Sequence, residues 1–542
     1  MLTSDVFAFL LVFAKILMTG VGIAFLISGL DDFFIDLCFG IRSLYRRCHV
    51  LPHHPPLTEA ALREKKEQRI AVMIPAWDES AVIRPMLENT LRSLDYANYT
   101  IFVGTYPNDT NTHQEVEIVR EKHASVQRIV CPHDGPTNKA DCLNWIYQGI
   151  KLHEKQHNVS YDIFVMQDCE DVIHPLCYKL FNYLIPRKDM VQLPVQSLRM
   201  KWHQFTAGHY LDEFAQCHFK DMVVREALSG CLPAAGVGCA FSRRAFNIVC
   251  NKKNNQLFSI DSLTEDYDFG FRLHEHQLKQ VFVRFALNRT ETRISFWTGK
   301  PVTVTRKEVV CIQEFFPAKF KFSVRQKSRW VLGITLQGWA NLGWKGSLAT
   351  KYMLFRDRKS IFTNLLNLLG YLLVLVVLSI WLVNWLNPDA YRYPPLLEKG
   401  SLLWDVLYFN AFLLIVRVFQ RFYCVYQLYG TPQALLSIPR MIWGNVINFL
   451  ATSRAISQYL TYLRTGKLIK WDKTNHQYPS ESELLSFRRK LGDLLLDSRC
   501  ITAHQLNEAL AVQKTKPLRL GQILTELGWL QENDLMQTLQ RQ

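Results

Sequence analysis

Apolar residues gather in four stretches of the chain and are interspersed with polar ones elsewhere. Residues 6–30, VFAFLLVFAKILMTGVGIAFLISGL, form the first stretch and carry a single charge, Lys15. Its ~25 residues can cross a ~30 Å hydrocarbon layer with some tilt. A cleaved leader would open on basic residues, whereas this chain opens Met-Leu-Thr-Ser-Asp, so an uncleaved span is expected. Lys15 then snorkels or faces another helix. Residues 361–386 and 402–428 predict two further spans, joined by the short, nearly neutral loop 387–401. The fourth stretch, Met441–Ala451, offers only about 11 residues between Arg440 and Arg454; it is too short to cross and is expected to lie in the interface.

Arg42, Arg46, Arg47 and the basic cluster from Arg63 to Arg69 follow the first stretch, and Arg417 and Arg421 close the third. Lys and Arg favour the cytoplasmic side of a membrane. Three spans are therefore expected, with the N-terminus outside and everything from residue 40 to the first return span inside. Residues 69–355 have a different texture. Short apolar runs, Ile70–Pro75, Thr100–Thr105 and Ile163–Gln167, alternate with helical patterns, which predicts a mostly parallel sheet covered by helices. The expected division is a membrane helix and link (1–45), an α/β domain (46–355), a transmembrane pair with interfacial helices (356–465) and a soluble tail (466–542).

The tail repeats itself. Leu491-Gly492, Leu506, Leu510 and Gln513 recur as Leu520-Gly521, Leu535, Leu539 and Gln542, each pair offset by 29 positions. Leu506, Leu510 and Gln513 share one helical face, so a small all-α unit that repeats and stacks is expected.

Composition sharpens the membrane reading. Hydrophobic residues make up 49% of the 542 residues and charged ones only 20%, low for a soluble domain. The net charge of +15 is scattered, with no basic stripe or zinc-finger spacing, so it fits cytosolic loops beside an anionic leaflet and not a nucleic-acid partner. Thirteen cysteines without a CxxC pair predict reduced, buried thiols.

Five segments carry candidate chemistry. In Ala71-Val-Met-Ile-Pro-Ala76-Trp-Asp-Glu79 a strand ends in a polar loop, where ligands of open α/β sheets bind; a helix-capping carboxylate fits equally well. Lys139, in Gly135-Pro-Thr-Asn-Lys-Ala-Asp, sits at a loop-to-helix junction and can neutralise phosphate, or simply be solvated. A third strand delivers Asp168-Cys-Glu170-Asp171; Asp168 and Glu170 point the same way and can share one Mg²⁺ or Mn²⁺. Leu263-Thr-Glu265-Asp266-Tyr-Asp268 offers a general base able to take a proton from an attacking hydroxyl, or an N-cap cluster. Gln326, Arg329 and Trp330 lie at helical spacing, where Arg329 can pair with a diphosphate and Trp330 can stack on a sugar.

In that order, Ile-Pro-Ala-Trp-Asp-Glu79, Asp168-x-Glu170, Thr264-Glu265-Asp266 and Gln326-x-x-Arg329-Trp330 resemble the processive family 2 glycosyltransferases, over residues 69–460. The resemblance implies an α/β GT-A fold and inverting transfer from a nucleotide sugar. It places Ala76, Glu79, Asp109, Lys139, Asp168, Gln326 and Trp330 around the nucleotide sugar and Asp168 and Glu170 on the metal. Asp266 would be the base, with Glu265 beside it, and Arg329 would steady the leaving diphosphate. Glu170 departs from the Asp that many members carry. Ser28-Gly-Leu-Asp-Asp-Phe-Phe-Ile-Asp36, Phe102-Val-Gly-Thr-Tyr-Pro-Asn-Asp109 and Val324-Arg-Gln-Lys-Ser-Arg-Trp330 are more closely similar to the bacteriophage adsorption protein B type of bacterial inner-membrane glycosyltransferase. That type implies exopolysaccharide synthesis, an outer-membrane export partner and phage sensitivity.

The tail resembles the MshEN type of cyclic di-GMP-binding domain, whose motif opens Arg-Leu-Gly. Arg519, Leu520, Gly521, Leu524, Leu535, Leu539 and Gln542 match it in the second copy. Lys490, Leu491, Gly492, Leu495, Leu506, Leu510 and Gln513 match it in the first, with Lys for Arg at the start and Arg499 where Gly is usual. Lys lacks the planar fork that stacks on guanine, so the first copy is the weaker site. The sequence lacks the Gly-x-x-x-x-Gly-Lys-Ser/Thr loop of an ATPase. The expected function is an inner-membrane polymerase of a nucleotide-activated sugar, with a UDP-amino sugar as donor, the growing polysaccharide as product and cyclic di-GMP as activator. A single-sugar transferase on a lipid carrier, or a non-catalytic cyclic-dinucleotide scaffold for an export complex, are the alternatives.

Overall fold

The computed structural model describes residues 2–250, 255–294, 301–388, 395–466, 476–484, 491–513 and 518–541. Its centre is a seven-stranded sheet in the order β3-β2-β1-β4-β8-β6-β9. The strands are β1 (Ile70–Pro75), β2 (Tyr99–Thr105), β3 (Val126–Val130), β4 (Ile163–Met166), β6 (Met190–Gln192), β8 (Cys239–Ser242) and β9 (Gln280–Phe282). All neighbours run parallel except β8, which is antiparallel to both β4 and β6. Alternation along β1 divides two cores: Ile70, Val72 and Ile74 pack into one with Ile83 and Leu87, and Ala71 and Met73 into the other with Leu143, Ile146 and Phe269.

A smaller sheet, order β5-β12-β7, is built from β5 (Val172–Ile173), β7 (Val195–Ser197) and β12 (Ile312–Glu314). β12 pairs antiparallel with β5 and parallel with β7, which brings Glu314 beside the loop following β4. Between the two halves of this arrangement, β10 (Ala286–Ile294) and β11 (Pro301–Val309) form a long antiparallel ribbon. Neither the ribbon nor the small sheet is expected from the apolar pattern, because their strands are too short or too polar to stand out.

Four described helices are long and apolar enough to cross a membrane: the N-terminal helix (Leu2–Tyr45), Leu348–Leu386, Leu402–Tyr429 and Thr431–Thr465. The apolar patch expected at 441–451 belongs to the fourth, a longer element than the apolar run suggests. That patch is the middle of a 35-residue helix. Its polar residues break the apolar run but are satisfied within the protein: Arg440 Nη2 donates to Asp212 Oδ1 at 2.8 Å, Asn448 Nδ2 to Glu213 Oε1 at 3.0 Å and Asn445 Nδ2 to the Tyr371 hydroxyl at 2.6 Å. Hydropathy read along the chain cannot see such partners, which lie more than 70 residues away.

The N-terminal helix is tied to the next two by the Ser28–Asp36 segment. Asp32 takes Lys359 Nζ at 2.9 Å, Arg356 Nη2 at 3.2 Å and Arg417 Nη1 at 2.8 Å, while Asp31 bonds Arg356, Lys359 and the Tyr352 hydroxyl. Lys220, on the domain side, pairs with Asp36. The helices and the α/β domain are thus joined by charges as well as apolar contacts.

In the tail the 29-residue offset is visible as geometry. A Cβ on Gly492 would stand 2.8 Å from Leu506 Cδ1, and one on Gly521 2.8 Å from Leu535 Cδ1. Arg499 and Gly528, at equivalent positions, both have positive φ, 56° and 70°. Leu495 and Leu524 are fully buried, whereas Leu510 and Leu539, equivalent again, are exposed. The expectations placed on Lys490 and Gln542 lie outside the described residues.

Candidate active site

The carboxyl ends of β1 and β4 and the start of β8 meet at one edge of the sheet. Beyond β4, Asp168 turns toward Lys139, whose Nζ lies 2.6 Å from Asp168 Oδ1. Lys139 opens the helix Lys139–His157, capped by Asn138, whose side chain accepts from the Asp141 N–H at 2.8 Å. Asp171 holds the turn after β4 by accepting the Asp168 N–H at 2.8 Å.

Glu265 and Asp266 occupy the first turn of the helix Glu265–Glu275, where the helix dipole favours negative charge. That helix presses against the 232–234 backbone because Gly270 has no side chain; a Cβ there would sit 2.5 Å from Leu232 O. Gly236, at φ +76°, faces the cluster from the loop before β8. A Cβ on it would lie 2.6 Å from Asp266 Oδ2 and 3.2 Å from Lys139 Nζ. The Asp266 carboxylate and the Lys139 ammonium therefore converge on one point, left open by the missing side chain.

The electrostatics follow from this crowding. Burial opposes the charge of Lys139, but Asp168, Glu265 and Asp266 outweigh it and push its pKa up. Burial and the neighbouring Asp266 raise the Glu265 carboxyl to about 8, against the pull of Lys139. Asp266 is raised too, mainly by burial. Glu170 is raised to about 7 by burial, and Glu314, on β12, to about 8 by burial and by Glu170. Crowded hard oxygen donors of this kind suit Mg²⁺ or Mn²⁺. Among the described residues no three His, Cys, Asp or Glu side chains form a complete metal site. Phosphate oxygens would have to complete the shell.

Each residue expected in the site has a definite place. The Glu79 carboxylate accepts from His476 Nδ1 at 3.0 Å, and His476 Nε2 lies 3.2 Å from Glu170 Oε1. Burial works against charge on His476, yet Glu170 and Glu79 together hold its pKa at about 9. Asp109 caps the helix Thr110–Arg120 and accepts from the N–H groups of Thr112 and Asp78, so its carboxylate organises the loop after β1. Ala76 is buried, and its N–H donates to Gly104 O at 2.9 Å.

Gln326, Arg329 and Trp330 stand apart from the carboxylates, with no hydrogen bond or ion pair to them among the described residues. Their helix, Phe320–Trp330, continues into a π-helical segment packed on the Glu265–Asp266 turn: a Cβ on Gly333 would touch Thr264, and Gln337 Oε1 accepts the Leu263 N–H at 3.1 Å. Gln326 Oε1 is buried without a partner, and half-buried Arg329 has no ion-pair partner among the described residues. Trp330 lies edge-on to Tyr210, with centroids 5.8 Å apart, and Tyr210 stacks on Phe316 at 4.8 Å.

Sequence reasoning missed Glu314 and His476. Glu314 ends a short strand, Ile-Gln-Glu, and repeats the strand-end carboxylate signature of Asp168 in weaker form. His476 comes from a polar linker after the last long helix and carries no local signal.

An α/β sheet with carboxylates gathered at its strand ends fits a glycosyltransferase, and residues 163–386 match the family Glycosyl transferase family group 2. The chain belongs to the bacteriophage adsorption protein B family. It is 39% identical over 542 residues to Bacteriophage adsorption protein B of Escherichia coli (strain K12), covering 99% of this chain and 72% of that one. Identity and coverage are the same for Bacteriophage N4 adsorption protein B of Escherichia coli O157:H7. Among solved structures, mannosyltransferase PcManGT from Pyrobaculum calidifontis in complex with GDP-Man and Mn²⁺ aligns with TM-score 0.43 and 13% identity, covering 78% of this chain and 99% of that one. S. aureus TarS 1–349 aligns with TM-score 0.31 and 12% identity, covering 76% and 97%.

The site makes stability depend on pH. Glu170, Glu265 and Glu314 rise from the usual 4.5 to about 7 or 8, and His476 from 6.5 to about 9. These four groups bind more protons in the folded protein than in the unfolded chain between pH 5 and 9, so their contribution to stability falls as pH rises through that window. A thermal-shift series on the ligand-free protein should show the unfolding temperature declining from pH 6 to pH 9. A flat or rising profile contradicts the clustering.

Proposed function

We propose that the protein is a processive, inverting glycosyltransferase of the bacterial inner membrane that polymerises a nucleotide-activated sugar into an exported polysaccharide. The reading rests above all on the convergence of Lys139, Asp168, Glu265 and Asp266 at the mouth opened by Gly236. Asp266 is the base: burial raises its pKa, so it can accept a proton from an acceptor hydroxyl near neutral pH. Lys139 steadies the carboxylates and meets incoming phosphate. Asp168 and Glu170 hold Mg²⁺ or Mn²⁺, which when bound would neutralise charge on the diphosphate. Arg329, without an ion-pair partner among the described residues, is suited to the departing diphosphate, and the Trp330–Tyr210–Phe316 aromatic surface to the acceptor sugar. The donor we favour is a UDP-amino sugar. The basic residues that follow the first stretch support a cytosolic site, and the relatives' name supports a link to phage adsorption; an outer-membrane export partner would receive the product.

The tail, in this reading, binds cyclic di-GMP and shifts the enzyme toward its active conformation. The equivalent exposed Leu510 and Leu539, one helical turn beyond the Leu506 and Leu535 that cover Gly492 and Gly521, support a binding surface repeated twice.

Asp266→Asn should lower sugar transfer by at least about a hundredfold, the usual range for loss of a general base, while nucleotide affinity stays within about twofold. Retained transfer would remove the base assignment. For the tail, calorimetric titration of the full chain with cyclic di-GMP should show binding that weakens strongly in Arg519→Ala and less in Lys490→Ala. Equal binding in both variants and the parent protein rules out the motif.

A further inference from the structure

Residues from the linker after the last long helix lie against the site. Residues 476–484 are held at several points. Tyr478 packs into the sheet core near Val172, and Leu484, 4% exposed, inserts between Val172 and Leu198. Glu481 reaches Arg92 at 4.0 Å, and Glu483 closes the turn by accepting from the Ser480 N–H at 2.9 Å and its hydroxyl at 2.7 Å. This packing delivers His476 into the gap between Glu79 and Glu170, 3.0 Å from one and 3.2 Å from the other.

The ring uses both nitrogens, one on each carboxylate. The ring therefore fills the space between the two carboxylates assigned to donor and metal. It is supplied by the segment that joins the membrane helices to the tail.

We propose that residues 476–484 are an autoinhibitory strap, with His476 occupying the gap between Glu79 and Glu170 and competing with metal-bound nucleotide for both. The proposal rests on the donor-site reading given above. Donor and metal bind when His476 leaves the gap, and the docking of Tyr478 and Leu484 sets how often it does. Anything that pulls on the linker from the tail side changes donor affinity without touching the catalytic residues.

The test is calorimetry on the full chain in lipid nanodiscs, titrating UDP, and in parallel GDP, at fixed Mn²⁺. His476→Ala should tighten nucleotide affinity about tenfold, the gain expected if the strap is lifted in about one molecule in ten. Leu484→Ala, which loosens the strap away from the carboxylates, should shift affinity in the same direction. Unchanged or weaker affinity in His476→Ala overturns the strap and makes His476 neutral or a donor ligand. Tightening in His476→Ala but not in Leu484→Ala also overturns it, leaving only a local ion pair. If neither nucleotide binds any of the three proteins, the donor-site reading falls and the strap falls with it.

Discussion

Burying several carboxylates at one end of a parallel sheet is possible only with a cation among them, and Lys139 is placed to be that cation. Its ammonium sits 2.6 Å from Asp168 and within the field of Glu265 and Asp266. Three independent elements have to agree for this to happen: the loop after β4, the helix that Lys139 opens and the helix that Glu265 opens. The glycines at 236 and 270 let those elements close on one another. Removing the ammonium would leave like charges facing each other across a low-dielectric gap, a cost of several kcal/mol in a buried setting. The three carboxylates around Lys139 still outnumber its charge, the condition under which a divalent ion, and with it a diphosphate, is welcome.

The membrane helices and the α/β domain are likewise joined by paired charges. Asp31 and Asp32 gather Arg356, Lys359 and Arg417, and Asp212 receives Arg440 with both side chains about 1% exposed. Lys327, inside the Gln326–Trp330 segment, pairs with Glu213 and donates to Asn448 Oδ1 at 2.7 Å on the last long helix. The helix bearing Arg329 is thereby fixed to both the domain and the last long helix.

The sequence announced the parts with strong local signals. Apolar runs marked β1, β2 and β4, carboxylates at a strand end marked Asp168 and Glu170, and an acidic run opening a helix marked Asp266. It did not announce what depends on distant partners. The 431–465 helix looked too polar because Arg440 and Asn448 find Asp212 and Glu213 across more than 200 positions. Asp109 read as a ligand contact, yet its carboxylate already caps a helix and holds the Asp78 N–H. Glu314 was hidden in a three-residue strand, and His476 in a linker with no periodicity at all. Local patterns report backbone geometry; the charge balance of a site is a property of the folded chain.

The central claim is that this cluster transfers a sugar with the help of a divalent cation. Purified full-length protein in nanodiscs, incubated with a panel of nucleotide sugars, would test it through release of nucleoside diphosphate. At least one donor should be consumed in the presence of Mg²⁺ or Mn²⁺, with turnover lost on chelation and in Asp168→Asn. Turnover that survives both, or no turnover with any donor with and without cyclic di-GMP, would contradict the account.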